Sequence, residues 1–144
     1  MDTSALIDFS QMYNRKVFKT PWRKLEEAAE AKVVIFVEAT WEELNRHSVS
    51  LAEWVNNYYL HQPTPDEQEF VAWLQEEYPE LVDWNAMREL ADPYIIACAK
   101  QFGLAIVSQE KYNTGKPKIP GVAKDLGIPC LNLTRFFMDI GWEF

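Results

Sequence analysis

Ala91-Asp92-Pro93-Tyr94-Ile95-Ile96-Ala97-Cys98-Ala99, followed by Lys100-Gln101-Phe102-Gly103 and then Leu104-Ala105-Ile106-Val107-Ser108, decides the fold. A residue before proline is pushed out of the helical region, so the Asp92-Pro93 step breaks whatever precedes it. Proline itself suits a first helical turn, which starts a new helix over 93–102. Gly103 ends that helix, because glycine takes up the left-handed closing conformation at least cost. The run over 104–108 is short, apolar and partly β-branched, the pattern of a buried strand. A helix that feeds a buried strand is the unit of an α/β domain with a mainly parallel sheet covered on both faces.

Working outward, the same alternation recurs. Thr20 before Pro21 predicts a helix through about residue 31, and residues 32–37 form an apolar run short enough for a buried strand. Thr40 with Glu43, Ser50 with Glu53, and Thr64 with Glu67 each match the Ser/Thr-x-x-Glu capping box. Three helices are therefore expected in succession, a helical segment over about 41–82 between strands two and three. The second shows Leu51, Trp54, Val55, Tyr58 and Tyr59 on one side. The third carries Phe70, Val71 and Leu74 and stops before Pro79. A further helical stretch is predicted from Asp83 toward Leu90. Downstream, residues 109–118 read as a polar loop, 119–126 as a short helix closed by Gly127, and 129–133 as a last strand. Thr134 is read as the cap of a terminal helix ending near Gly141.

With 144 residues and 48% apolar content, the chain suits a single domain over 1–144. No apolar run reaches the roughly 18 to 20 residues of a membrane span, and the first twenty residues are too charged for a secretory signal, so a soluble, cytoplasmic protein is expected. Cys98 and Cys130 lie in apolar stretches at a spacing that matches no zinc or redox pattern, and are expected to be buried, reduced thiols. His47 and His61 are too few and too isolated for a histidine-based active site and are read as surface or helix-end residues. Trp54, Tyr58, Tyr59 and Trp73 sit at helical spacing and are read as core rather than as a stacking platform or dimer face. No Gly-x-Gly-x-x-Gly or P-loop pattern occurs. Fourteen basic against 22 acidic residues give a net charge of −8. That excludes long-range steering of nucleic acid and leaves only local, metal-dependent attraction.

Four acids stand out by position. Asp2 lies at or near a first strand, Glu43 and Asp92 open helices, and Glu110 follows the strand over 104–108. In open α/β sheets, loops at the carboxyl edge of the strands meet where ligands bind. Hard carboxylate oxygens match Mg²⁺ or Mn²⁺, and such ions assist phosphodiester hydrolysis by activating water and stabilising the leaving oxygen. Crowded carboxylates also repel, which predicts at least one raised pKa in the absence of metal. Lys111, Lys116 and Lys118 in the following loop are weaker candidates for holding phosphates.

These acids carry a resemblance. Asp2-Thr3-Ser4-Ala5-Leu6-Ile7-Asp8 resembles the first motif of the PIN-domain family, an aspartate followed by a small hydroxyl residue. Glu42-Glu43-Leu44 is similar to its acidic helix position, residues 91–99 to its third motif, and Leu-Ala-Ile-Val-Ser-Gln-Glu-Lys-Tyr over 104–112 to its strand ending in Thr-x-Asp, with Glu110 in place of the aspartate. Lys118-Ile119-Pro120, Gly127-Ile128-Pro129 and Gly141-Trp142 look closest to a stand-alone bacterial subgroup similar to VapC-type toxins. The resemblance implies a three-layer α/β/α sandwich with a short, mainly parallel central sheet. It implies Asp2, Glu43, Asp92 and Glu110 as metal ligands and catalytic acids, with Ser4 orienting Asp2. It further implies a Mg²⁺- or Mn²⁺-dependent endoribonuclease, toxin of a toxin–antitoxin pair, with an antitoxin partner and a homodimeric state. The alternative is a catalytically inactive PIN-like interaction module.

Overall fold

The computed structural model describes residues 1–83, 88–111 and 118–144. Among them the chain runs α1 (Thr3–Met12), α2 (Lys19–Glu30), β1 (Phe36–Val37), α3 (Glu38–His47), α4 (Val49–Val55), β2 (Leu60–His61) and α5 (Pro65–Glu77). A 3-10 turn (Pro79–Leu81) leads to β3 (Val82–Asp83) and β4 (Arg88–Glu89), then α6 (Asp92–Phe102), β5 (Ile106–Val107), α7 (Ile119–Leu126), β6 (Cys130–Leu131) and α8 (Leu133–Ile140). The class is α/β with helix dominant and the strands very short.

Two of the strand pairs are parallel, Phe36 beside Leu60 and Ile106 beside Cys130, while Val82 and Glu89 pair antiparallel. The two parallel pairs are joined by the chain start. The Met1 ammonium donates to Ile35 O at 3.0 Å, and the Asp2 N–H donates to Val107 O at 2.9 Å. Residues 1 and 2 thus sit where a strand between β1 and β5 would run. Behind Met1 lies an apolar cavity of about 170 Å³, lined by Val33, Ile35, Leu104 and Ala105 among others.

Side chains alternate across a strand, and the core follows that rule. Phe36 and Val107 enter one cluster with Leu6, Phe9, Trp22, Leu25, Leu44, Trp54 and Val55. Their neighbours Val37 and Ile106 enter another with Leu74, Ile96, Ile119 and Val122. Both faces of these short pairs are therefore covered. Phe9, buried completely, meets Tyr13, Trp22 and Phe137 edge-on at centroid distances of 5.2, 5.1 and 6.2 Å. Of the expected aromatic core set, Trp54 is buried and Tyr58 is partly buried, whereas Tyr59 and Trp73 are exposed at 45% and 42%.

Several local readings are corrected. The chain start makes a helix, α1, because the Asp2 side chain caps it by accepting from Ala5 N–H. Helix α2 begins at Lys19, with Phe18 before it, so Thr20 is not its cap. Glu38 already starts α3, so Thr40 and Glu43 fall inside the helix instead of forming its capping box. Ser48, not Ser50, caps α4, and Asn132, not Thr134, caps α8. Thr64 does cap α5, accepting from Glu67 N–H at 3.2 Å. Asp92 is the first residue of α6 and Ala91 precedes it as the cap position. The helix expected beyond Asp83 gives way, where described, to β3 and β4, and residues 84–87 lie outside the described residues.

Gly103 closes α6 at φ +64°, a left-handed conformation, and open space surrounds the position where a Cβ would stand. Gly103→Ala therefore isolates backbone strain from packing. We expect a loss of roughly 1 kcal/mol, a melting temperature about 2–4 °C lower, read by thermal denaturation.

Candidate metal and acidic site

Asp2 is held by everything around it. Its carboxylate accepts from Ala5 N–H at 2.9 Å, the Ser4 hydroxyl at 2.8 Å and the Ser108 hydroxyl at 2.7 Å, and the residue is only 2% exposed. Burial pushes its carboxyl above the ordinary range, while those three donors and the Met1 ammonium pull it back. Ser108, at the end of β5, also accepts from Glu110 N–H at 3.1 Å. Gln109 ties the elements together: its N–H donates to the Ser4 hydroxyl at 3.1 Å and its side-chain oxygen accepts from Leu133 N–H at 2.7 Å.

Glu43, partly buried in α3, reaches the α6 start and accepts from Ala91 N–H at 2.9 Å. This places it beside Asp92. Glu110 leaves β5 and accepts from Ile119 N–H at 3.2 Å, at the first turn of α7. Four elements thus deliver four carboxylates to one region, and the convergence is felt at Asp92. Burial, then the charges of Glu110, Glu43 and Asp2, push the Asp92 carboxyl well above the carboxylate range; Lys118 opposes them. Glu110 is raised as well, by burial first and then by Asp2, against the Ile119 N–H and Lys118. Lys118 is exposed and close enough to act on both acids; Lys111 is exposed, and Lys116 lies outside the described residues.

The donor set is oxygen only and strongly self-repelling, the chemistry that a hard divalent cation relieves. The four acids are not drawn tightly onto a single point. Among the described residues, His61, Glu67 and Cys98 are the one group whose three potential ligand atoms all lie within 4.8 Å of one another, and this buried group can hold a metal ion.

His61 corrects an expectation. It is 7% exposed and sits at the end of β2, where its Nε2 meets both Glu67 carboxylate oxygens at 2.7 and 3.0 Å. Pairing of β2 with β1 turns it inward against α5 and α6, and the carboxylate satisfies the ring there. Cys98 is a free, buried thiol, pushed up to about 11 by burial and by the nearby Glu67 charge; Cys130, a half-buried free thiol, is also pushed up to about 11. Ser108 and Gln109 stand just ahead of Glu110, and their strand-end Ser-Gln-Glu order is the local signal for their part in the site. His61 and Glu67 are six residues apart, but Cys98 lies far along the chain on α6, and no local spacing announces the three together.

No helix among the described residues is long and apolar enough to cross a membrane. The model of a family described as Domain of unknown function (DUF4411) matches residues 1–144. No curated protein and no solved structure matches the chain.

Proposed function

We propose that this chain, which belongs to the DUF4411 family, is a PIN-like α/β/α sandwich acting as a Mg²⁺- or Mn²⁺-dependent endoribonuclease. One observation carries the reading: Glu43 is bonded to the Ala91 N–H next to Asp92, and Ser108 links Asp2 to the Glu110 backbone, so that four acids from four elements face one region. Asp2, Glu43, Asp92 and Glu110 would hold the metal. When bound, it supplies an activated water and charge neutralisation for phosphodiester hydrolysis. Ser4, Ser108 and the Ala5 N–H orient the Asp2 carboxylate, and the Ala91 and Ile119 N–H groups do the same for Glu43 and Glu110. Lys118, which acts on Asp92 and Glu110, is suited to receive the scissile phosphate, and the exposed Lys111 is a second cation near Glu110 in the chain. The resemblance to VapC-type toxins adds a toxin role, an antitoxin partner and a homodimer to the proposal.

The purified protein should cleave single-stranded RNA in Mg²⁺ or Mn²⁺ and stop when EDTA is in excess. Cleavage that continues in EDTA sinks the proposal. A second reading, an inactive PIN-like interaction module, is favoured by the engagement of all of Asp2's nearby donors in a 2%-exposed carboxylate. Mn²⁺ separates the two. A competent site stabilises the fold by mass action, about 2.7 kcal/mol at one hundred times Kd, whereas the inactive module gives no shift in melting temperature.

A further inference from the structure

We infer that His61, Glu67 and Cys98 form a second metal site, distinct from the four acids, that takes a zinc-class ion and locks β2, α5 and α6 together. The three side chains come from three elements, are 7%, 2% and 5% exposed, and bring their ligand atoms within 4.8 Å of one another. Imidazole, carboxylate and thiolate together suit Zn²⁺ and disfavour Mg²⁺, which prefers oxygen alone.

The surroundings are those of a supported metal centre. A metal-binding imidazole is normally fixed through its other nitrogen, and here the Nδ1 of His61 lies 3.0 Å from the Tyr59 hydroxyl. That contact leaves Nε2 aimed at Glu67. The Glu67 carboxylate accepts from the Thr64 hydroxyl at 3.3 Å, and Thr64 donates also to the Gln101 side chain at 2.8 Å. The orienting partners therefore span the same elements that the ion would join. A cavity of about 150 Å³, lined by Glu38, Glu42, His61, Pro63, Glu67 and Tyr94 among others, reaches the imidazole and carboxylate from outside. It offers an entry path and room for a fourth ligand. A His61–Glu67 hydrogen bond alone would account for burial of that pair but leaves the thiol's approach without a role.

Cobalt(II) reports the geometry directly, since a thiolate bound to it gives a near-ultraviolet charge-transfer band and tetrahedral coordination strengthens its visible bands. The full chain is titrated with Co²⁺, then Zn²⁺, in excess Mg²⁺ to occupy oxygen-only sites. One equivalent with the thiolate band is expected in the wild type, in Cys130→Ser and in Asp92→Asn. Cys98→Ser should lose the band and weaken Zn²⁺ binding at least 10-fold. Should that variant fail to fold by circular dichroism, Glu67→Gln serves instead, retaining the band while binding Zn²⁺ at least 10-fold more weakly. A wild type without the band, a band that survives Cys98→Ser or vanishes in Cys130→Ser, or Glu67→Gln binding Zn²⁺ like the wild type overturns the assignment.

Discussion

On the proposed nuclease reading, Asp92→Asn should lower metal-dependent RNA cleavage by about 10²-fold or more, and at the same time make the metal-free protein more stable. The two effects share one cause. Asp92 is pushed well above its ordinary 3.8 by burial and by three neighbouring acids, so the folded state holds its proton to higher pH than the unfolded chain does. Its contribution to stability is fully present below 3.8 and is lost as pH rises through the raised folded value. Ionising this group therefore costs more in the folded protein than in the unfolded chain. Asparagine keeps the shape and never ionises.

Melting in EDTA tests this cleanly. The variant should gain about 0.5–2 kcal/mol at neutral pH, and the gap should close as pH falls toward the ordinary carboxylate range. Asp2 and Glu110, raised in the same direction, shift the wild type the same way. Mn²⁺ should stabilise the wild type and leave the variant unmoved. A variant that cleaves RNA, or that melts below the wild type in EDTA at neutral pH, contradicts the shared cause.

Phe9→Ala is expected to cost about 3–5 kcal/mol, a large share of the 5–15 kcal/mol that typical domains possess. Phe9 has no exposed surface and touches rings from α1, α2 and the α8 region at once. Truncation leaves a cavity between elements that cannot all close on it. At about 2–4 °C per kcal/mol, the melting temperature should fall by roughly 10 °C. Met138→Ala, at a residue 67% exposed, should stay within about 0.5 kcal/mol and is the matched control. A Phe9→Ala melting curve that overlays the control would show the aromatic cluster to be loosely packed.

What could be read from the sequence was mostly punctuation. Asp92-Pro93 and Gly103 bracket α6 to within a residue, and Gly127 and Gly141 close α7 and α8, because proline and glycine act through their own backbones. Capping boxes were less trustworthy. Ser/Thr-x-x-Glu also arises inside a helix, where residues three apart share a face, and Thr40 with Glu43 is such a case. Helix α1 escapes a reading that puts Asp2 at the edge of a first strand, although Ala5, Leu6 and Phe9 recur on one helical face. The acids were visible as residue types in order. Their mutual repulsion follows from crowding, but the Ala91 and Ile119 backbone N–H groups that hold Glu43 and Glu110 depend on the fold and cannot be read from the sequence. His61 was misjudged for the same reason: isolation along the chain says nothing about which carboxylate lies across it.

The Met1 amine, lodged against Ile35 O, has a practical consequence. A peptide fused ahead of it would start between β1 and β5, beside the apolar cavity that Met1 lines and one residue from Asp2. A purification handle at that end would act as an added sheet element and shift the melting temperature. The same handle after Phe144, whose ring is half exposed, joins the molecule at its rim and leaves the acidic region as it is.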